Sequence, residues 1–238
     1  MSPRRQGDDA PALSEEAAAL LRVILERQAY RQLMVANIRG HGLKFVQSVE
    51  EKLQLGEDLS RTLRIYRETE RLYQKLGGED LHLAVRSKMD RIPYPSSRLE
   101  LAICLVLCDM AEQVAGETYL ESASPEFAAI ARSLVDMARS NTRTGGDLFL
   151  EYCRAPENRP HAQQLLERWL VITLKSLGRP GTSGDARAVT LGLRSRGCAD
   201  STAEFLARLE RFLQPSGFVL PDLAGLGLEM PSERHRAR

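Results

Sequence analysis

Residues 92–120 read IPYPSSRLELAICLVLCDMAEQVAGETYL, and this stretch decides the class of fold. Its two prolines forbid helix, because proline lacks a backbone N–H and biases the residue before it towards extended geometry. Ser97 and Glu100 then form a predicted capping box, which begins a helix that reaches about Leu120. The side chains of this helix are apolar around most of its circumference, so we expect it to be the most buried helix of an all-α protein.

Helical spacing of apolar residues continues on both sides of this stretch, without strand alternation of useful length and without an internal repeat. The first helix begins at Ser14, is weakened at Gly40 and Gly42, and resumes as far as Leu53. Four long helices with one crossover that contains the prolines predict a ferritin-like four-helix bundle with additional C-terminal helices. The other helices are predicted over residues 57–76, 79–89, 125–154, 160–177, 186–193 and 201–213.

Composition excludes several classes of function. The chain has 33 basic and 32 acidic residues, so its net charge of +1 draws it neither to nucleic acid nor to an anionic membrane. No apolar run approaches the roughly 20 residues that span a bilayer, and residues 1–12 are too polar for a secretory signal. We therefore expect a cytoplasmic protein with buried free cysteines, one domain over residues 13–230, and disordered tails at 1–12 and 231–238.

Four short motifs occur in order along the chain: Tyr30-Arg31 followed by His41, SPEFAAIA at 124–131 with Ala138-Arg139, QQLLERW at 163–169, and GFVLPD at 217–222. Together they resemble the phenylacetic-acid catabolic family, the ferritin-like subunits of the bacterial phenylacetyl-CoA oxygenase. None of them is a catalytic motif, and the likeness lies in their order and spacing. The resemblance implies the same ferritin-like core.

A di-iron carboxylate site in such a core needs a Glu from each of two helices and Glu-x-x-His from each of the other two, because residues three apart project to one face. The resemblance implies which positions would hold the ligands, and most of these positions carry residues that cannot bind metal. The positions are Phe45 in the first helix, Glu68 and Arg71 in the second, Asp109 in the third, and Ala138 and Asn141 in the fourth. We therefore expect no catalytic residue, no cofactor, and a non-catalytic subunit or scaffold, a role that the family itself contains.

Asp109 follows an apolar run, and a buried carboxylate must be paired or protonated. We expect its partner to be an arginine of the second helix, Arg64 or Arg71, so that ion pairs and amides replace metal in the core. Such a subunit would form a homo-oligomer or hetero-oligomer through its helical faces. A catalytic ferritin-like sibling is the candidate partner.

Two alternatives remain open. One is a metal-dependent oxygenase or oxidoreductase of the ferritin-like superfamily, with di-iron or manganese held by an atypical set of Asp109, Glu112, His41 and Glu68. The other is an acyl-CoA binder in which basic residues meet phosphate, namely Arg86, Lys88 and Arg91, although a solvated charged face is the simpler interpretation. The one Glu-x-x-His of the chain, Glu79 with His82, is expected to be a solvated helix start.

Overall fold

The computed structural model describes residues 13–89 and 93–224, apart from the side chains at 142–145 and 148, and these residues form helices without any strand. The prediction of an all-α fold is therefore confirmed. The predicted tails, 1–12 and 231–238, lie outside the described residues. The α-helices of the described part are α1 (Glu15–Gly42), α2 (Val49–Lys75), α3 (Leu81–Met89), α4 (Arg98–Glu117), α5 (Pro125–Tyr152), α6 (Arg159–Leu177), α7 (Ser183–Thr190) and α8 (Cys198–Leu213).

Serine side chains begin the four helices that form the bundle. Ser14, Ser97 and Ser124 each accept a hydrogen bond from the backbone N–H three residues further on, at 3.1 to 3.3 Å. Ser48 and Glu51 form a complete capping box at the start of α2. These caps satisfy backbone donors that have no partner inside the helix, so each helix has a defined first turn.

The boundary between α1 and α2 differs from the prediction. α1 ends at Gly42, and α2 begins at Val49 and runs through Gly56 without a break. The capping box at Ser48 supplies a start signal that outweighs the low helix propensity of Gly56. Gly42 is required for packing, since a Cβ atom there would lie 2.6 Å from Leu101 Cδ1 of α4.

The capping box predicted at the start of α4 is confirmed only in part. Ser97 caps the helix as predicted, but the Glu100 carboxylate accepts hydrogen bonds from the backbone N–H and hydroxyl of Ser96, at 2.7 and 2.6 Å, instead of closing a box with Ser97. The helix ends at Glu117 and not at Leu120. Glu100 thereby ties the proline-containing crossover to the first turn of α4.

α4 is the central helix of the described structure. It packs against α1, α5, α6 and α8, while α2 packs against α1 and α5 and so completes a ring of four helices. α3 lies against α1, within the crossover. Most residues of α4 are buried, as the sequence predicts. Within the described residues, no helix is both long enough and apolar enough to cross a bilayer.

The four cysteines are buried and free, which confirms the prediction. Cys104 and Cys108 lie on α4. Burial raises the pKa of the Cys104 thiol well above its ordinary value, and burial raises the pKa of Cys153 to about 11. The thiols of Cys104 and Cys153 therefore stay neutral near pH 7 and act as small apolar packing groups rather than as nucleophiles.

Candidate functional site

Side chains from all four bundle helices meet in one buried polar network. Arg39 of α1 donates from Nη2 to Asp109 Oδ1 of α4 and from Nη1 to Thr62 Oγ1 of α2, each at 2.7 Å. Arg39 and Asp109 are only 1% and 2% exposed. The guanidinium compensates the charge of the buried carboxylate, and through its bonds to Asp109 and Thr62, Arg39 links three helices at the centre of the bundle.

Asn141 of α5 joins a second carboxylate to the same network. In the amide orientation that satisfies its neighbours, its side-chain nitrogen donates to both oxygens of Asp58 at 3.1 and 3.2 Å. Its oxygen then accepts from Arg39 Nη2 at 2.7 Å. Gln54 also donates to Asp58, at 3.2 Å. The Asn141 amide, bound to Asp58, and the Arg39 guanidinium, bound to Asp109, thus connect the two carboxylates.

The partner of Asp109 is not the arginine that the sequence predicts. Arg64 and Arg71 are both exposed on α2. Arg39 takes their place because its position on α1 faces α2 and α4 together, whereas the predicted arginines lie on the outer side of α2. The prediction that Asp109 is buried and ion-paired is confirmed, and the prediction of its partner is wrong.

One turn further along α4, Glu112 forms a second buried ion pair. Arg31 Nε of α1 donates to Glu112 Oε2 at 3.1 Å, and Gln28 donates to Glu112 Oε1. Arg31 also donates to Gln28 and, at 3.4 Å, to the backbone carbonyl of Ser176 in α6. Asp109 and Glu112 of α4 are therefore each paired with an arginine of α1.

Electrostatics at Asp109 are dominated by its burial. Removal from water raises the pKa of Asp109 from 3.8 to about 6, and the nearby charges of Asp58 and Glu112 add to this effect. The Arg39 guanidinium opposes the rise without cancelling it. The carboxyl is therefore mostly ionised near pH 7 and becomes protonated in mildly acidic solution.

We expect the contribution of Asp109 to stability to fall as the pH rises from about 4 to about 6. A raised folded-state pKa means that the folded protein holds a proton that the unfolded chain has released, so this stability is fully present below the unfolded pKa of 3.8 and lost through the folded pKa of about 6. The change amounts to roughly 3 kcal/mol at most. Urea unfolding of wild type and Asp109→Asn at several pH values measures it, because other groups titrate equally in both proteins. A wild-type-minus-variant difference that stays constant with pH would contradict the assignment.

Of the inward positions expected from the family resemblance, those in α4 and α5 are buried and those in the first two helices are not. Asp109 of α4 is 2% exposed, and Ala138 and Asn141 of α5 are 0% and 6% exposed. Phe45 follows the end of α1 and is only half-buried, and Arg71 is exposed. The early end of α1 removes Phe45 from the helix, and the buried polar side chains of α1 are those of Gln28, Arg31, Gln32 and Arg39.

The atypical metal-ligand set does not come together. Asp109 and Glu112 are engaged in separate ion pairs. His41 is half-buried, with its ring centroid 4.7 Å from that of Tyr94, and Glu68 is exposed. No group of three or more His, Cys, Asp or Glu side chains able to hold a metal ion occurs in residues 13–89 and 93–224. Guanidinium groups bind Asp109 Oδ1 and Glu112 Oε2, so a metal ion at either carboxylate would have to share it with a cation.

The remaining candidates of the sequence lie at the surface. Glu79 and His82 are exposed around the start of α3, as predicted for a solvated helix start. Arg86 and Lys88 are also exposed. Arg91 lies outside the described residues. The side chains of Glu79, His82, Arg86 and Lys88 do not contribute to the buried network, so the candidate functional region is the centre of the bundle.

A cavity of about 330 Å³ opens from the surface onto the Arg39–Asp109 network. Its inner end is formed by the buried side chains of Arg39, Asp58, Asp109 and Asn141. Exposed or half-exposed residues of α2 and α4 surround its mouth, where Arg98 and Glu51 form an ion pair. This volume falls at the low end of the range for small-molecule pockets. Its apolar walls consist of Val46, Leu55, Leu101, Ala102 and Leu105.

No sequence pattern singles out Arg39, Asp58 or Gln28, although Arg31 lies in one of the four motifs. The signal in α1 is weak, because these buried polar residues share the middle of the helix with Arg22, Glu26, Arg27, Gln32 and Asn37. Only the polar residues that become buried must find partners inside the protein. For Asp58 no comparable signal exists, because the residues around it in the sequence are mostly charged or polar.

The residues that the structure describes form an all-α protein with a bundle-like core. Comparison of the chain with models of protein families gives no match, and comparison with curated protein sequences gives no significant match either. The likeness to the phenylacetic-acid catabolic family therefore rests on the motifs quoted above. The evidence for a function therefore comes from the buried network and the cavity described above.

Proposed function

We propose that the protein is a non-catalytic ferritin-like subunit or scaffold related to the phenylacetyl-CoA oxygenase family. One observation carries the proposal: Asp109 and Glu112, two buried carboxylates of α4, are bound by the guanidinium groups of Arg39 and Arg31. The proposed relationship accounts for a bundle in which one expected ligand, Asp109, is retained while the other expected metal ligands are mostly replaced.

The charges explain why such a core holds together without a metal ion. Carboxylates at the centre of a bundle repel one another and need cations to offset their burial. Arg31 and Arg39 supply two such cations on side chains that are 3% and 1% exposed. A divalent ion at the same place would have to displace guanidinium groups that already bind the oxygens, against their repulsion. Arginine thus serves the structural role that metal serves in a di-iron bundle.

An exposed apolar strip supports a role in assembly. Val49 and Leu53 lie four residues apart on α2 and are 65% and 61% exposed. Residues at this spacing share one helix face. A helical face that leaves such side chains in water is suited to packing against another helix, either of a second copy or of a catalytic ferritin-like sibling. The proposed subunit would use this face.

We expect purified protein to contain far less than one iron or manganese ion per chain and to assemble into a species larger than the 26.6 kDa chain. Elemental analysis before and after incubation with Fe(II) or Mn(II), together with native mass spectrometry, tests both expectations. Val49→Asp with Leu53→Asp should reduce assembly, while Val23→Asp, at an exposed apolar residue of α1, serves as the matched control.

Two irons per chain with a di-iron absorption band would instead favour a metal-dependent oxygenase and would contradict the non-catalytic role. A strictly monomeric protein at high concentration, without any co-purifying partner, would count against the subunit role.

A further inference from the structure

The cavity above the buried network combines apolar walls with an acidic inner end. Its volume is about 330 Å³, and its walls come from α2, α4 and the segment between α1 and α2. The carboxylate of Asp58 lines it from within the bundle, at 7% exposure. Water alone fills an apolar cavity poorly, whereas a ligand with an apolar body and one polar end matches both parts of this one.

The charges that line the cavity are unbalanced. Four carboxylates line it, those of Glu50, Glu51, Asp58 and Asp109, against the two guanidinium groups of Arg39 and Arg98. Arg98 is paired with Glu51 at the mouth, and Arg39 with Asp109 at the inner end. Negative charge therefore remains on Asp58 inside and on Glu50 outside.

Asp58 is the residue with the strongest need for a cation. Its hydrogen bonds come from two neutral amides, those of Gln54 and Asn141. In the part of the chain that the structure describes, no basic side chain lies within 4.0 Å of its oxygens, whereas Asp109 and Glu112 of α4 each have an arginine. A buried carboxylate without a cation is costly, and it attracts a positively charged group that can reach it.

We propose that this cavity binds a small primary amine, with the ammonium group against Asp58 and an aromatic or aliphatic body along the apolar walls of α2 and α4. An ammonium donates up to three hydrogen bonds, and the carboxylate of Asp58 has acceptor capacity beyond its bonds to the two amides. Arg39 does not repel this group strongly, since Asp109, Thr62 and Asn141 already engage it. The proposal is independent of the subunit role.

Other ligand classes fit the cavity less well. A carboxylate or phosphate would place a further anion beside Asp58 and Asp109, and the cation at the inner end of the cavity, Arg39, is already paired with Asp109. A neutral alcohol of the same shape would fill the apolar part but would leave the charge of Asp58 uncompensated. Charge, more than shape, therefore selects the ligand.

Three probes of one shape test this selectivity on the full wild-type chain: 3-phenylpropylamine, 3-phenylpropanol and 3-phenylpropionate. Isothermal titration calorimetry near pH 7.5 should show the amine binding about tenfold or more tightly than the alcohol, with no binding of the anion. Absence of amine binding, or equal affinity for amine and alcohol, would overturn the proposal.

Variants locate the bound probe. Asp58→Asn should lower the affinity for the amine about tenfold or more and leave that for the alcohol nearly unchanged. Glu50→Gln, the matched loss of an exposed carboxylate at the mouth, should change it by about twofold at most. Leu105→Trp fills the cavity and should abolish binding of both probes. Amine binding that survives Asp58→Asn or Leu105→Trp would overturn the assignment.

Far-UV circular dichroism of each variant confirms its helix content before the titration. Should Asp58→Asn fail to fold, the comparison of the three probes on wild type and the Leu105→Trp variant still decide the question.

Discussion

Replacing Arg39 by methionine is expected to lower the free energy of unfolding by about 3–5 kcal/mol, the largest electrostatic effect in this protein. The substitution keeps much of the apolar stem but leaves Asp109 buried without its cation, beside the negative charge of Asp58. Thr62 and Asn141 lose a donor in the same step. Urea denaturation followed by circular dichroism measures the loss.

Two further variants serve as controls for this measurement. The double variant Arg39→Met with Asp109→Leu removes both charges, and we expect it to recover most of the stability, because an apolar pair can replace a buried ion pair. Arg187→Met breaks an ion pair with Glu16 in which both partners are exposed, so it should have little measurable effect. Equal effects of Arg39→Met and Arg187→Met would show that burial adds nothing to the Arg39–Asp109 pair.

The sequence predicts the class of fold because its strongest signals are local. Serine caps, the prolines before α4 and the apolar character of α4 each act over a few residues, and the structure contains all of them. The break between α1 and α2 was misplaced for a reason that is not local. Leu101 of α4 packs so closely against Gly42 at the end of α1 that a larger residue would clash there. A contact between residues so far apart in the chain does not change the spacing of apolar residues in the sequence.

The buried network was predictable only in part. Asp109 stands out because its own helix is apolar, so its burial and its need for a partner follow from the sequence alone. The identity of the partner depends on how α1 and α2 are rotated about their axes. α1 packs against α2, α3, α4 and α7, so it has buried residues around most of its circumference, and both Ile38 and its neighbour Arg39 are enclosed. The polar residues of α1 therefore do not mark one exposed face that would indicate the rotation of the helix about its axis.

Trp169, the only tryptophan of the chain, gives the second large expected effect. Its side chain on α6 is completely buried, and its Nε1–H donates to Glu100 Oε1 of α4 at 2.9 Å. Trp169→Ala should lower the free energy of unfolding by about 3–5 kcal/mol, because the cavity it leaves cannot collapse between packed helices. Circular dichroism has to follow the unfolding, since the variant lacks the fluorescent side chain.

Trp169→Phe separates the hydrogen bond from the packing. Phenylalanine keeps most of the apolar ring contact but leaves Glu100 with the donors of Ser96 and Arg168 only, so we expect a loss of about 1–2 kcal/mol. In a Glu100→Leu background the same substitution should cost less, because the indole N–H then has no carboxylate to bind. An unchanged cost in that background would mean that Trp169 stabilises the protein through packing alone. The carboxylate of Glu100 would then hold the crossover to α4 without help from α6.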